Sequence, residues 1–219
     1  MTKIAIFDVC ETLISLQTAD NFTDFILTKF NYQRRQKQLL FLERIKFFVL
    51  MQKYFPKLLV EKRLRLFQLR GIPECELEQA AAEYFIFLKE NHVIEATFKE
   101  YKRLQSLGYY MILLSAGYDI YLKFLAQFLD AQLICNNLVF KKNKFSGFIN
   151  KVDCSRENKV QYIKEFISMK NLQLGEVVAY GDSFEDRYIL SWSKSGVIVL
   201  RSDRNNWDRE RKFRVITWQ

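Results

Sequence analysis

The sequence predicts an α/β fold, a Rossmann-like parallel sheet sandwiched by helices, with an inserted helical cap and a small β-hairpin. Three observations predict it. Residues 3–8, KIAIFD, are apolar on both faces of a short strand, the pattern of a strand buried inside a parallel sheet. From Tyr109 onward, strand and helix patterns alternate, as in a sheet wrapped by helices. Between these two regions, residues 18–107 keep a helical period, far more than a crossover between neighbouring strands requires.

The elements follow in order. Apolar residues at three- and four-residue spacing predict helices near 18–30, 36–54, 57–70, 75–90 and 95–107, punctuated by Gly71, Pro73, Asn91 and Gly108. A second buried strand is expected at Tyr109–Leu114, stopping at Ser115-Ala116-Gly117, with a helix over 119–129. LVFKKNKFSGFI, residues 138–149, alternates around Lys142-Asn143 and predicts a hairpin. A helix at 156–169 leads to a strand at Glu176–Tyr180, and strands near 196–200 and 213–217 finish the chain. The expected domains are an α/β core of residues 1–16 and 108–219 and a helical cap of residues 17–107.

Composition narrows the class. The chain has 219 residues, 49% of them hydrophobic, with seven Gly and two Pro, so it can bury a core and is not extensively disordered. Asp8 and Glu11 interrupt the first apolar stretch, which argues against a signal peptide, and no apolar run approaches the ~20 residues of a membrane span. Cys10, Cys75, Cys135 and Cys154 are scattered without metal-site spacing, as reduced thiols of a cytoplasmic protein would be. The net charge is +9, and between Lys29 and Arg70 twelve Lys or Arg face only Glu43 and Glu61. Such a field attracts anions, or it is the solvated face of a helical block.

Three strands end in polar residues: Asp8, Ser115 and Asp182. The carboxyl ends of the strands of an open α/β sheet share one edge, and ligands bind there. Residues more than a hundred positions apart therefore converge. Asp186 follows Asp182 by one helical turn and adds a carboxylate. Clustered carboxylates at a strand edge suit a hard, oxygen-liking ion such as Mg²⁺. Lys159, on the helix before that strand, is placed to reach the same edge and hold a phosphate.

Asp8-Val9-Cys10-Glu11-Thr12, then Leu113-Leu114-Ser115-Ala116-Gly117-Tyr118, then Lys159, then Gly181-Asp182-Ser183-Phe184-Glu185-Asp186 resemble the four motifs of the haloacid dehalogenase superfamily, in order and spacing. The helical insert between the first two motifs, the Ser-Ala-Gly-Tyr segment and the hairpin before Cys154 and Lys159 resemble its phosphoserine phosphatase-like branch, with a cap of the C1 type. The resemblance implies a phosphatase. Asp8 would attack phosphorus and become an aspartyl-phosphate. Mg²⁺ would be held by the Asp8 carboxylate, the Cys10 backbone carbonyl and Asp182. Ser115, with the Ala116 and Gly117 segment behind it, and Lys159 would bind the phosphoryl oxygens. Asp186, with Ser183, would support the metal site or orient Lys159 from behind. Asp182 and Asp186 argue against dehalogenation, whose branch lacks the metal.

One position departs from the pattern. Phosphatases of this superfamily usually carry a second Asp two residues after the nucleophile, as the general acid and base; this chain has Cys10. The metal site should survive, because that position gives only its carbonyl. Acid–base help, worth roughly 10²–10⁴ in rate, should be weakened. The substrate would then need a good leaving group, the phosphoenzyme would be long-lived and pass its phosphoryl group to another acceptor, or hydrolysis would be slow. Glu11 is a poor replacement, since neighbouring residues of an extended chain point apart.

The leading expectation is a Mg²⁺-dependent phosphatase or phosphotransferase acting on a small phosphorylated metabolite, with sugar or polyol phosphates as the first guess. The competing reading is a catalytically weak protein whose basic cap binds an anionic partner, with residues 38–59 as a basic amphipathic helix on a membrane surface. Packed cap core is favoured for that stretch. Nucleic acid is not expected, because no stacking platform or recognition-helix pattern is visible. His92, the only histidine, reads as a helix cap or surface group.

Overall fold

The computed structural model describes residues 1–44, 46–54 and 60–219. Strand β1 (Thr2–Phe7) lies near the middle of a six-stranded sheet. The others are β2 (Tyr110–Tyr118), β3 (Gln132–Asn136), β6 (Leu174–Gly181), β7 (Ser195–Arg201) and β8 (Arg214–Trp218), in the order β3-β2-β1-β6-β7-β8. Every neighbouring pair is parallel. Phe7, the last residue of β1, sits level with Leu113 of β2 and Tyr180 of β6; β6 ends one residue later, whereas β2, expected to stop at Ser115, runs on to Tyr118.

The period-two alternation of β1 divides the interior. Ile4 and Ile6 join one apolar layer with Ile112, Leu114, Ile163 and Ile198, while Ala5 and Phe7 join the opposite layer with Leu113, Tyr101, Tyr180 and Val199. Burial on both faces accounts for a strand with no polar residue between Ile4 and Phe7. The Phe7 and Tyr180 rings stack at 4.2 Å, and Tyr101 tilts against Phe7 at 5.1 Å.

Six helices occupy the long insert among the described residues: α1 (Thr18–Lys29), α2 (Gln33–Arg44), α3 (Phe47–Tyr54), α4 (Val60–Phe67), α5 (Glu74–Asn91) and α6 (Glu95–Ser106). The single helix expected over 36–54 is two, with Lys46 at φ +53° between them. Uninterrupted apolar spacing hid that break. Helix α6, through Tyr101, packs against the sheet, and α5 packs on α7 (Asp119–Leu129). Leu42 and Phe47 pack on the core, whereas Leu40, Phe41, Leu50 and Tyr54 are exposed. The choice between cap core and surface helix for 38–59 rests partly on residues 45 and 55–59, which lie outside the described residues. No described helix is long and apolar enough to cross a membrane.

The hairpin forms as expected: β4 (Leu138–Lys141) and β5 (Lys144–Ile149) are antiparallel, joined through Lys142 and Asn143 at φ +50° and +59°. It also holds the insert. Gly71 N–H donates to Phe145 O at 2.8 Å, Phe145 N–H to Ile72 O at 2.9 Å, and Glu74 N–H to Asn143 O at 3.0 Å. Two elements were not read from the sequence. Strand β3 is five residues of an edge strand, and α9 (Arg187–Ser193) is only seven residues long. Both are too short to show a period. Helix α8 (Asn158–Met169) completes the set, and His92 caps the end of α5, its N–H bonded to Leu88 O at 2.9 Å.

Candidate active site

From β1 the chain builds outward to β2 and β3, then returns to build β6, β7 and β8 on the other side. The order reverses beside β1, and the crevice at the carboxyl ends of its strands is where such sheets bind ligands. Asp8 is the first residue past β1 there, its N–H bonded to Tyr180 O at 2.9 Å. The chain then turns tightly, with Leu13 and Ile14 N–H both donating to Val9 O at 3.0 Å. Gly181 ends β6, and Asp182 and Asp186 follow in the next turn. A Cβ on Gly181 would lie 2.7 Å from the Asp186 side chain, so only glycine lets that carboxylate fold back over the strand end.

The expected residues converge. Lys159, from the start of α8, is buried and donates to Asp8 Oδ1 at 2.7 Å and to Asp186 Oδ1 at 2.6 Å. The other oxygen of Asp186 accepts from Ser183 Oγ at 3.0 Å and Ser183 N–H at 3.2 Å. Carboxylate oxygens of Asp8, Asp182 and Asp186 lie within 4.8 Å of one another. Trp207 fixes the Asp182 backbone, its Nε1–H donating to the carbonyl at 3.0 Å. The cleft they line, about 300 Å³, also takes in Cys10, Gln17 and Ala116. Ser115 is wholly buried behind it, and its hydroxyl accepts from Gly117 N–H at 3.1 Å.

Burial and mutual repulsion set the charges. Burial pushes the Asp8 carboxyl up to about 6, although Lys159 opposes the rise. Burial, then the charges of Asp186 and Asp8, push Asp182 up to about 9. Burial alone would lower Lys159, but Asp186 and Asp8 outweigh it and hold its ammonium well above the ordinary range. Three close carboxylates share this one ammonium, which leaves the cluster short of positive charge. Uncompensated buried charge is costly. An all-oxygen donor set with excess negative charge fits a hard divalent cation.

A carboxyl whose folded pKa is raised holds its proton more tightly when folded, so stability is lost as pH rises through that window. For Asp8 the window runs from 3.8 to about 6, and for Asp182 from 3.8 to about 9. The Tm of the metal-free protein is therefore expected to fall as pH is raised through both windows. Added Mg²⁺ should restore it at the alkaline end, where both carboxylates are bare. Thermal denaturation across pH, with and without the ion, checks this, and a Tm indifferent to Mg²⁺ throughout would contradict it.

Cys10 lines the cleft, but its thiol faces inward. Sγ lies 3.1 Å from Thr18 Oγ1, which in turn lies 2.9 Å from Tyr121 OH, and Tyr84 OH donates to Thr18 O at 3.1 Å. Burial, then the charge of Asp8, push the thiol up to about 12. Such a thiol is a weak acid toward a leaving group. Glu11 is committed elsewhere: Arg204 grips both its oxygens at 2.6 and 2.8 Å, and Gln17 donates to it at 2.8 Å.

A cluster beside the cleft was missed. Lys62, from α4, donates to Ala116 O at 2.7 Å and to Asp153 Oδ2 at 2.6 Å. Asn136 Nδ2 donates to the same two oxygens at 2.7 and 3.2 Å, and its Oδ1 accepts from Cys154 N–H at 2.8 Å. These contacts tie the insert to the second motif. The only sequence signal is a lysine in a run of basic residues, which does not distinguish Lys62 from its neighbours.

The haloacid dehalogenase-like hydrolase family model matches residues 5–191, from β1 into α9, and the chain belongs to that family. It is accordingly a hydrolase. Among solved structures, a Bordetella pertussis Tohama I protein of unknown function superposes with a TM-score of 0.80 at 19% identity, covering 99% of this chain and 98% of that one. A probable phosphoserine phosphatase from Vibrio cholerae gives 0.70 at 16% identity, over 100% of this chain and 61% of that one. A phospho-aspartyl intermediate analogue of phosphoserine phosphatase gives 0.61 at 18% identity, over 90% and 86%. These likenesses show the fold. No curated protein sequence matches the chain.

Proposed function

We propose that the protein is a Mg²⁺-dependent phosphatase that hydrolyses a small phosphorylated metabolite through an aspartyl-phosphate on Asp8. The convergence of Asp8, Lys159, Asp182 and Asp186 at the switch point of the sheet carries this reading. Asp8, Asp182 and the Cys10 carbonyl would hold Mg²⁺, which would neutralise charge on the phosphoryl oxygens. Asp8 attacks phosphorus; the bond to the leaving oxygen breaks as the aspartyl bond forms, and water later cleaves the acyl phosphate. Lys159 lies against the attacking carboxylate and screens the incoming phosphoryl charge, held by Asp186 behind it. Ser115 and the Ala116 amide would bind the phosphoryl oxygens, while Gly117 N–H, bonded to Ser115 Oγ, orients that hydroxyl. Residues 17–107 act as the cap, tied to the core at Lys62.

A second reading follows from Cys10. With its thiol held by Thr18, nothing at that position readily activates water against the acyl phosphate. A long-lived phosphoenzyme that transfers to an acceptor other than water is the corresponding alternative. A panel of phosphorylated metabolites, assayed with Mg²⁺ and with EDTA, tests both. Phosphate release or transfer should stop in EDTA and return with Mg²⁺. Undiminished activity in EDTA would overturn the reading.

A further inference from the structure

A second cavity, of about 390 Å³, opens between α4 and the hairpin, walled by Leu64, Leu66, Phe67, Tyr118, Phe148 and Ile149. It adjoins the Asp8 cleft. Lys62 and Asp153 line the second cavity, Ala116 lines the cleft, and Lys62 bonds to both Ala116 and Asp153. A molecule with its phosphoryl group at Asp8 and its organic group in this space would have to pass Ala116 and the Lys62 side chain bonded to it.

The wall is apolar and closely built. The Phe67 and Phe148 rings meet edge to face at 5.9 Å, yet Phe148 is 61% exposed. Gly147, at φ +93°, lets the hairpin approach: a Cβ there would lie 2.7 Å from the Phe67 ring. Asp153 is the only acid lining the cavity among the described residues; its Oδ2 is engaged by Lys62 and Asn136, and its Oδ1 is buried beneath the wall without a hydrogen-bond partner among them. The hydroxyls of a sugar or polyol would find little to accept their hydrogen bonds, and polar groups buried without partners cost binding energy. Arg63 and Lys151 at exposed positions add only positive charge.

We infer that this cavity receives the organic group of the substrate and that this group is apolar, an alkyl or aryl phosphate monoester in preference to a sugar or polyol phosphate. The inference rests on the phosphatase reading for the position of the phosphoryl group. Burying apolar surface supplies the selectivity, about fourfold in affinity for each methylene removed from water.

Binding of ethylphosphonate and hexylphosphonate, which have no ester bond to cleave, tests it by calorimetry on the full chain with Mg²⁺ present. Hexylphosphonate should bind at least ~30-fold more tightly, and inorganic phosphate should compete with both. Phe148→Ala, at an exposed position that a folded protein tolerates, should cut that ratio severalfold while leaving ethylphosphonate unchanged; Phe67→Ala should do the same. A ratio near one, a ratio that survives both substitutions, or no binding of either probe would overturn the inference. If the ratio holds but no phosphate monoester is hydrolysed, the catalytic reading falls and the assignment of the cavity stands.

Discussion

Asp8→Asn is expected to lower phosphate release by about 10⁴-fold or more, the scale on which loss of a covalent nucleophile is felt. The amide keeps the shape of the side chain but cannot form an acyl phosphate. Asp182→Asn should likewise abolish turnover by removing a proposed metal ligand. The two losses should occur without unfolding. Because Asp182 is pushed up to about 9 chiefly by burial, its charged form opposes folding when no metal is present. Asp182→Asn should therefore raise the Tm of the metal-free protein at alkaline pH, while cancelling the stabilisation that Mg²⁺ gives the parent. Activity lost with stability gained is the signature of a site whose residues are chosen for chemistry. Equal activity in either variant, or a lower metal-free Tm in Asp182→Asn, would contradict the account.

Cys10→Asp carries the next largest expected effect. With an activated aryl phosphate, expulsion of the leaving group needs little protonation, so breakdown of the aspartyl-phosphate becomes limiting and a burst of leaving group should precede steady state. The thiol, pushed up to about 12 and held 3.1 Å from Thr18 Oγ1, has little capacity to activate water. A carboxylate at this position finds the Thr18 hydroxyl within reach as an orienting donor. The variant should show a smaller burst and a steady-state rate up to about 10²-fold higher, the low end of general acid–base catalysis. Rapid-quench kinetics on both proteins reads both quantities. If Cys10→Asp is slower on every substrate and neither protein shows a burst, the thiol is not the replacement of an acid, and its place beside Thr18 and Tyr121 serves another purpose.

The strand ends were legible because their chemistry contrasts with what precedes them. An apolar strand that stops at Asp8, and another that stops at Gly181-Asp182, mark the sheet edge without any knowledge of the fold. Lys159 was legible by its position on the helix before β6, and its ammonium lies 2.7 Å from Asp8 and 2.6 Å from Asp186 at that edge. What was not legible depends on partners distant in sequence. Lys62 meets Ala116 and Asp153 only because α4 comes down on the second motif, 54 and 91 residues further along the chain. Glu11 resembles a spare acid until Arg204, 193 residues away, takes both its oxygens. The inward turn of the Cys10 thiol is likewise set by Thr18 and Tyr121, packed together in the core. Strand β3 and helix α9 escaped notice because a few residues on a sheet edge, or two turns of helix, are too short to display a period.

Direct detection of the covalent intermediate tests the central claim most closely. The protein, mixed with Mg²⁺ and an activated aryl phosphate and quenched in acid during the burst, should carry one phosphoryl group on the peptide that contains Asp8. The group should be released by hydroxylamine, as an acyl phosphate is, and should be missing from Asp8→Asn. Leaving group released in a burst with no acid-stable phosphoryl group on the protein, or with the group on a residue other than Asp8, would contradict the account.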